Sequence, residues 1–191
     1  DPSLLEMFKT YSTNEKKIYV MAHFNHPREL TPEAIEGLNL LMKSGVSLVN
    51  QTPLVKGVND DPEVLAELFS KLSYIGVPPY YVFLCRPTLG NETYSVPIER
   101  GYEIFEKSRT LCSGLAKRAR LVMSHESGKI EVLGMSEDQI FFKFLRAANK
   151  TDNARFLAFF RNPEACWFDD YQEASDEFSL FSQTTVKAGC P

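Results

Sequence analysis

The chain has 191 residues, of which 43% are hydrophobic and 24% are charged, a balance that is ordinary for a globular domain with its own core. A formal net charge of −4 gives no electrostatic basis for binding nucleic acid. No apolar run is long enough for a membrane span and no signal-peptide pattern opens the chain, so we expect a cytoplasmic protein without membrane contact. The four cysteines, Cys85, Cys112, Cys166 and Cys190, lie far apart, and we expect reduced thiols and no metal site.

The first part of the chain alternates between predicted helices and predicted strands. Helical patterns cover about 3–11, 31–44, 61–76 and 97–111, and strand patterns cover 17–24, 46–50 and 79–85. Thr31-Pro32 and Asp61-Pro62 each place an N-cap residue before a proline, which is typical of a helix start. This alternation predicts a parallel α/β sheet. Polar segments follow the strands at 25–28, 51–61 and 86–96, where such folds build their active sites.

After residue 116 the pattern changes to short apolar segments joined by turns. Four candidate strands, 118–123, 129–133, 139–145 and 155–160, predict an antiparallel meander. Ser127-Gly128 supplies turn chemistry between the first two of them. The tail beyond Trp167 is acidic and aromatic, and we expect a short helix in it.

Two polar strand ends are candidate ligand contacts. His23-Phe24-Asn25-His26-Pro27 closes the first strand, and a histidine there can donate a hydrogen bond to a ligand. The residue chemistry alone favours a structural role, because Asn25 and Pro27 would shape the turn whatever the function. Asn50-Gln51-Thr52 closes the second strand and offers both donors and acceptors.

Four segments, 23–34, 45–65, 76–90 and 97–116, carry a resemblance to a known family. They are HFNHPRELTPEA, GVSLVNQTPLVKGVNDDPEVL, GVPPYYVFLCRPTLG and PIERGYEIFEKSRTLCSGLA. In order and spacing they resemble lysine 2,3-aminomutase and its relatives, which are radical S-adenosylmethionine (SAM) enzymes. The resemblance implies a partial (β/α)6 TIM-like barrel, with its last three βα units in residues 1–116 and the meander and tail in 117–191. The family's other half, with a CxxxCxxC cluster motif, has no counterpart here, so we expect a piece of a longer protein.

The resemblance also implies the cofactors of the whole enzyme. They are SAM, a [4Fe–4S] cluster whose ligands lie outside this chain, and pyridoxal phosphate (PLP) if the matching lysine is used. His23 and Gln51 become candidates for the wall that faces SAM, with Asn50 as a less favoured third.

Lys129 is the candidate for PLP attachment, which requires a lysine amine. In the family this lysine follows a run of glycines, and here only the last pair, Gly128-Lys129, is kept. The alternative is a β-hairpin turn with a surface lysine beside it.

Arg86 stands where the lysine-specific family members carry an aspartate that holds the distal ammonium of the substrate. A guanidinium there would repel an ammonium and suits a carboxylate or a phosphate. A second family aspartate corresponds to Val122 or Met123, so both countercharges are missing. The resemblance therefore implies a substrate other than lysine, unless Arg86 is simply an exposed loop residue.

The whole protein is accordingly expected to be a radical SAM, PLP-dependent, aminomutase-like isomerase acting on a small amino-acid-like substrate. Two alternatives remain: a PLP-free radical SAM relative with an anionic substrate, and a non-catalytic C-terminal module that binds a partner. We expect this chain to be inactive alone and to pair with the missing barrel half. By itself it is expected to form homo-oligomers through the 17–24 edge or the apolar faces of the neighbouring helices. The alternative is that the N-terminal helix or the aromatic tail folds over that edge.

Overall fold

The computed structural model describes residues 1–172, and the remaining tail with Phe178, Phe181 and Cys190 lies outside the described residues. The elements follow in the order α1 (Pro2–Tyr11), β1 (Tyr19–Ala22), α2 (Pro32–Lys43), β2 (Ser47–Leu54), α3 (Pro62–Tyr74), β3 (Pro79–Leu84), α4 (Ile98–Thr110), β4 (Arg120–His125), β5 (Gly128–Met135), β6 (Gln139–Ala147) and β7 (Phe156–Phe160). A 3-10 helix at Phe168–Asp170 lies in the acidic tail, where a short helix is predicted. No helix within residues 1–172 is long and apolar enough to cross a membrane.

Two helix starts lie where the sequence predicts them. The Thr31 hydroxyl accepts a hydrogen bond from the Ala34 N–H before α2, and the Asp61 carboxylate accepts one from the Glu63 N–H before α3. Each cap satisfies a backbone donor that the first helical turn leaves free. The local sequence therefore fixes where the first two crossover helices begin.

All seven strands form one sheet in chain order, from β1 to β7. β1 to β4 run parallel and β4 to β7 run antiparallel, which confirms a mixed α/β sheet. The structure corrects one assignment: 118–123 is predicted only as a meander strand, but β4 also pairs in parallel with β3. The reason is α4, which returns the chain alongside β3 in the same direction. Closure into part of a barrel and the division at residue 116 stay predictions.

The helices pack against one face of the parallel strands. On β2, Leu48 and Leu54 are buried on this side, whereas the alternating residues are only half-buried. Gly101 lets α4 approach the sheet, because a Cβ there would lie 2.8 Å from Leu84 Cδ2 and 3.0 Å from Leu54 Cδ2. On β1, β2 and β3 the opposite side carries half-buried and exposed residues. We call it the open face and define it by Tyr19, Met21, His23, Gln51, Tyr81 and Phe83.

The described part of the tail packs against the meander. The ring of Phe168 lies edge-on to those of Phe142 and Phe159, with centroids 5.4 and 5.2 Å apart. Tyr171 also contacts the Phe142 ring. Up to residue 172 the tail therefore covers the meander and not β1.

A buried ion pair fixes the end of the meander to α4. Glu99 is 3% exposed, and one of its carboxylate oxygens accepts from Arg161 Nε and Nη2, both at 2.9 Å. The other oxygen accepts the Asn162 N–H at 2.7 Å. Because both oxygens accept hydrogen bonds from residues 161 and 162, the buried carboxylate holds the chain just after β7 against α4.

β1 lies at the edge of the sheet. Among the described residues it pairs only with β2, and its residues Tyr19 and Met21 are 70% and 41% exposed. An edge with exposed apolar side chains recruits another strand. We therefore expect either the missing barrel strand or a second copy of this chain at β1.

The first prediction is that this chain by itself self-associates through the β1 edge, most simply as a two-fold dimer. Met21→Lys should weaken the association, because a charge on an edge strand opposes strand pairing. Light scattering over a range of concentrations measures the effect. Tyr74→Lys is the matched control, since Tyr74 is 93% exposed at the end of α3. A wild-type chain that stays monomeric at every concentration contradicts the prediction.

Candidate functional site

His23 and Gln51 meet on the open face, where β1 ends beside β2. The parallel register pairs Ala22 with Asn50, so the next residue along each strand comes side by side. The Nε2 atoms of His23 and Gln51 lie 2.6 Å apart, and the ring nitrogen accepts because the amide NH2 group can only donate. Within residues 1–172, Gln51 Oε1 and His23 Nδ1 make no further hydrogen bond. Both atoms can therefore contact a ligand.

Asn50, expected beside Gln51 in a cofactor site, lies on the other side of the sheet. Successive residues of a strand point to opposite faces, and the Asn50 side chain is fully buried. Its Oδ1 accepts from the Phe24 N–H at 2.8 Å, and its Nδ2 donates to the Phe24 carbonyl at 3.0 Å and to Thr52 Oγ1 at 2.9 Å. Asn50 therefore ties the exit of β1 to β2, and it is not carried into the site.

Asn59 is a positioning residue that the sequence analysis missed. It is fully buried, and its Nδ2 donates to the carbonyls of Asn25 and Pro53, each at 2.9 Å. Its Oδ1 accepts from the Val55 N–H at 2.7 Å. The run Asn59-Asp60-Asp61 indicates a turn and a helix cap, but nothing local shows that the asparagine reaches back to the loop after β1. Together, Asn50 and Asn59 fix the loop that follows His23.

Lys129 lies just after the two-residue turn between β4 and β5, next to the C-terminal end of β4. Its backbone pairs with Ser124 on β4 and Arg146 on β6. Its Nζ lies 4.4 Å from the centroid of the Tyr81 ring and 5.0 Å from that of Phe83. The amine therefore reaches across β4 to the open face, among two aromatic rings of β3.

Tyr81 remains a neutral phenol next to Lys129. Burial, and after it the hydrogen bond with Tyr80, raises the pKa of Tyr81 to about 12, while Arg120 opposes the shift. A group with a raised pKa favours its protonated form in the folded state, so this contribution to stability is complete below pH 10 and is lost as pH rises through 12. At neutral pH the Lys129 amine thus faces an uncharged ring.

Gly128 is required by the close approach of β5 to β6. Its φ is +142°, and a Cβ there would lie 2.1 Å from the Arg146 carbonyl oxygen and 2.8 Å from Ala147 Cα. These are backbone atoms, so they cannot turn aside as a side chain could. The close packing of β5 against β6 is therefore sufficient to require the glycine of the Gly128-Lys129 pair, whether or not the lysine binds a cofactor.

A cavity of about 480 Å³ lies beside Lys129, between the β4–β5 hairpin and the β6–β7 connection. Its lining residues include three basic ones, Lys129, Arg146 and Lys150, and no acidic one. His125 also lines it, but both ring nitrogens are engaged: Nδ1 lies 2.7 Å from Ser127 Oγ, and Nε2 lies 3.0 Å from an Asp169 carboxylate oxygen.

Arg86 lies in the exposed loop after β3. Its carbonyl accepts from Asn91 Nδ2 at 2.7 Å, which holds the loop backbone. Within residues 1–172 its guanidinium forms no ion pair. The structure therefore leaves this charge available to a ligand, and it does not bring Arg86 into contact with Lys129 or Gln51.

The cysteines do not form a ligand set among the described residues. Cys85, Cys112 and Cys166 are free thiols, and residues 1–172 contain no group of three metal-binding side chains. Burial raises the pKa of Cys85, whose thiol donates to the Leu54 carbonyl at 3.1 Å. Burial and the nearby Asp170 carboxylate likewise raise the pKa of Cys166.

Comparison with known proteins finds curated relatives that are named as 2,3-aminomutases. A protein named "Putative L-lysine 2,3-aminomutase" from Aquifex aeolicus is 55% identical over 179 residues, which is 93% of this chain and 48% of that protein. L-lysine 2,3-aminomutase from Clostridium subterminale is 42% identical over 59% of this chain and 26% of its own length. Glutamate 2,3-aminomutase from Clostridioides difficile is 36% identical over 58% of this chain and 26% of its own. No family model matches.

The chain spans at most about half the length of these relatives. Among solved structures, a radical SAM methyltransferase from Sphaerobacter thermophilus superposes with a TM-score of 0.46 at 15% sequence identity. The match covers 63% of this chain and 38% of the methyltransferase.

The second prediction concerns the hairpin that carries Lys129. Gly128→Ala should lower the free energy of unfolding by roughly 1–3 kcal/mol, because the added methyl group meets fixed backbone. Urea denaturation measures the change. Gly37→Ala is the matched control: its Cβ meets nothing within 4 Å on α2, so it should stabilise by about 0.5–1 kcal/mol. Equal effects of the two substitutions would show that the close approach to β6 is not a constraint.

Proposed function

Because this chain belongs to the lysine 2,3-aminomutase family, we propose that it is part of a radical SAM isomerase that moves an amino group between adjacent carbons. The relatives are named for lysine and for glutamate, which supports an amino acid as the proposed substrate class. The contribution of this chain would be one wall of the active site, formed by the open face and the hairpin that bears Lys129.

The observation that carries the proposal is the position of Lys129. Its amine lies 4.4 Å from the Tyr81 ring on the same face of the sheet as the His23–Gln51 pair. The residues present fit PLP, since they offer an amine for covalent attachment, flat aromatic neighbours and cations beside them. When bound, PLP supplies a carbonyl for the amino group of the substrate and a ring that stabilises an adjacent radical. Tyr81 and Phe83 would keep the Lys129 amine directed at that region.

His23 and Gln51 would contribute to the wall that faces SAM. The amide oxygen of Gln51 accepts hydrogen bonds, and Nδ1 of His23 donates one because Nε2 is the accepting nitrogen. Bound next to a reduced cluster, SAM supplies the radical that starts the reaction. The two side chains would fix a polar ligand by complementary hydrogen bonds, and the clamps at Asn50 and Asn59 would hold the loop after His23 in place.

The cluster itself would be held outside this chain. The sequence contains no CxxxCxxC motif, so a second segment with three clustered cysteines is needed. That segment would also complete the sheet at the β1 edge. The missing half of the barrel is thus both the structural and the chemical partner in the proposal.

Arg86 would set the substrate preference. Arg86 follows β3, at the end of the sheet where Lys129 lies, and its guanidinium has no ion-pair partner among the described residues. A free guanidinium at this end attracts a side-chain carboxylate and repels an ammonium. We therefore propose an anionic amino-acid substrate in preference to lysine.

Two other functions make different predictions. A PLP-free radical SAM relative would leave Lys129 unmodified, which the next experiment tests. A non-catalytic binding module would need no cluster-binding segment at all. The pairing of an amine with two aromatic rings on the open face favours the PLP-dependent enzyme over both.

The third prediction is that Lys129→Ala in the whole enzyme abolishes the absorbance band of PLP bound to a lysine amine. No other amine can replace it if Lys129 is the attachment point. Absorbance spectroscopy of the purified protein gives the result. Lys143→Ala, on the neighbouring strand β6, should leave the band intact. An unchanged spectrum in the Lys129 variant would move the enzyme to the PLP-free class.

The fourth prediction is that the whole enzyme prefers glutamate to lysine because of Arg86. Arg86→Asp should lower kcat/KM for the anionic substrate about tenfold or more, the value of a lost charge-assisted hydrogen bond. Arg100→Asp makes the same charge change on α4 and should have little effect. Efficient turnover of lysine by the unmutated enzyme would disprove the proposed preference.

A further inference from the structure

The loop that carries Arg86 contains an internal anchor, Asn91. Residues 86–94 follow β3 and are all exposed except Asn91, which is half-buried. An asparagine that turns inward from an exposed loop brings both an acceptor and a donor that need partners. Asn91 lies just beyond the segment 76–90 that carries the family resemblance, so the resemblance assigns it no role.

The side chain of Asn91 closes the first part of this loop. Its Oδ1 accepts from the Thr88 N–H at 3.0 Å, and its Nδ2 donates to the Arg86 carbonyl at 2.7 Å. Within residues 1–172, no other side chain makes a hydrogen bond to the backbone of residues 86–88. One amide group therefore connects positions 86, 88 and 91.

The backbone of Asn91 adds two further hydrogen bonds. Its N–H donates to the Thr88 carbonyl at 3.1 Å, and its carbonyl accepts from the Tyr94 N–H at 2.9 Å. The Tyr94 carbonyl in turn accepts from the Lys56 N–H at 2.9 Å, in the loop after β2. Asn91 thus connects the exposed start of the loop to the part that is bonded to the neighbouring strand connection.

Arg86 is held by its backbone on both sides, while its side chain is exposed. Before it, the Cys85 thiol donates to the Leu54 carbonyl at 3.1 Å. After it, Pro87 confines Arg86 to extended backbone conformations, and the carbonyl between them is the one that Asn91 binds. A ligand that pairs with the guanidinium therefore does not have to order the loop as well, which lowers the entropic cost of binding.

We propose that Asn91 is a positioning residue for the substrate: it orders residues 86–91 and so holds Arg86 where its guanidinium can pair with the anionic group of the substrate. The inference rests on the proposed function, in which Arg86 selects an anionic amino acid. Asn91 acts through Arg86 and does not itself contact the substrate. Its loss should therefore weaken substrate binding and leave the chemical step unchanged.

The test is the steady-state kinetics of the whole enzyme with glutamate. Asn91→Ala should raise KM about tenfold, the value of the lost hydrogen bonds, and should change kcat less than about twofold. Thr93→Ala is the matched control, because Thr93 is exposed in the same loop and is not a partner of Asn91; it should change neither value. Circular dichroism checks that each variant is folded. A fall in kcat with KM unchanged, or an effect no larger than that of Thr93→Ala, overturns the inference.

A double-mutant cycle determines whether Asn91 acts through Arg86. Arg86→Gln removes the charge, and in that background Asn91→Ala should change KM less than about twofold, because nothing remains for Asn91 to position. A tenfold effect that persists without Arg86 would show that Asn91 has a different role.

Hydrogen exchange of the Thr88 amide, measured by NMR on the full chain, requires no turnover. Its acceptor is Asn91 Oδ1, so exchange should be about tenfold faster in Asn91→Ala and unchanged in Thr93→Ala. Unchanged exchange in Asn91→Ala would overturn the positioning role even if glutamate is the substrate. Faster exchange, in an enzyme that does not turn over glutamate, would keep Asn91 as the residue that orders the loop and would reject the proposed substrate class instead.

Discussion

Parallel strands are buried on both faces in folded proteins, but the described helices pack against only one face of this sheet. α2, α3 and α4 cover that face, and the residues of the open face, including Tyr19 and Met21, remain exposed or half-buried. The same sheet leaves β1 as an unpaired edge. His23, Gln51 and Lys129 lie on this uncovered side, whereas Asn50 is buried on the other side and Arg86 lies in the loop after β3. The open face is thus both the part of the sheet that needs a partner and the part that carries the proposed ligand contacts.

Long-range contacts hold the reactive groups in position. Asn50 and Asn59 fix the loop after His23, while Gly128 allows β5, the strand that carries Lys129, to approach β6. A buried Glu99–Arg161 pair anchors the far end of the meander to α4. The hairpin, the meander and the parallel strands therefore act as one framework, and a change in one connection is expected to shift the position of the amine.

The sequence predicted the parts that depend on local chemistry. Thr31 and Asp61 marked helix starts because capping acts within a few residues. The two-residue turn before Lys129 followed from Ser127-Gly128. The alternation of strand residues places the side chains of Asn50 and Gln51 on opposite faces of the sheet, but it does not tell which of these faces the helices cover. Asn59 and the contact of Lys129 with Tyr81 join residues far apart in the chain, and no local pattern encodes such contacts. The parallel pairing of β4 likewise depends on the path of α4.

The central claim is that this chain supplies one wall of a radical SAM active site while another polypeptide segment supplies the cluster. The formation of 5′-deoxyadenosine from SAM under reducing conditions tests it most directly, with the chain alone and after addition of a polypeptide that carries the CxxxCxxC half. The account predicts no product from the chain alone, because its sequence has no such motif, and more product from the mixture than from the added half alone. Product formed by this chain alone would contradict the account.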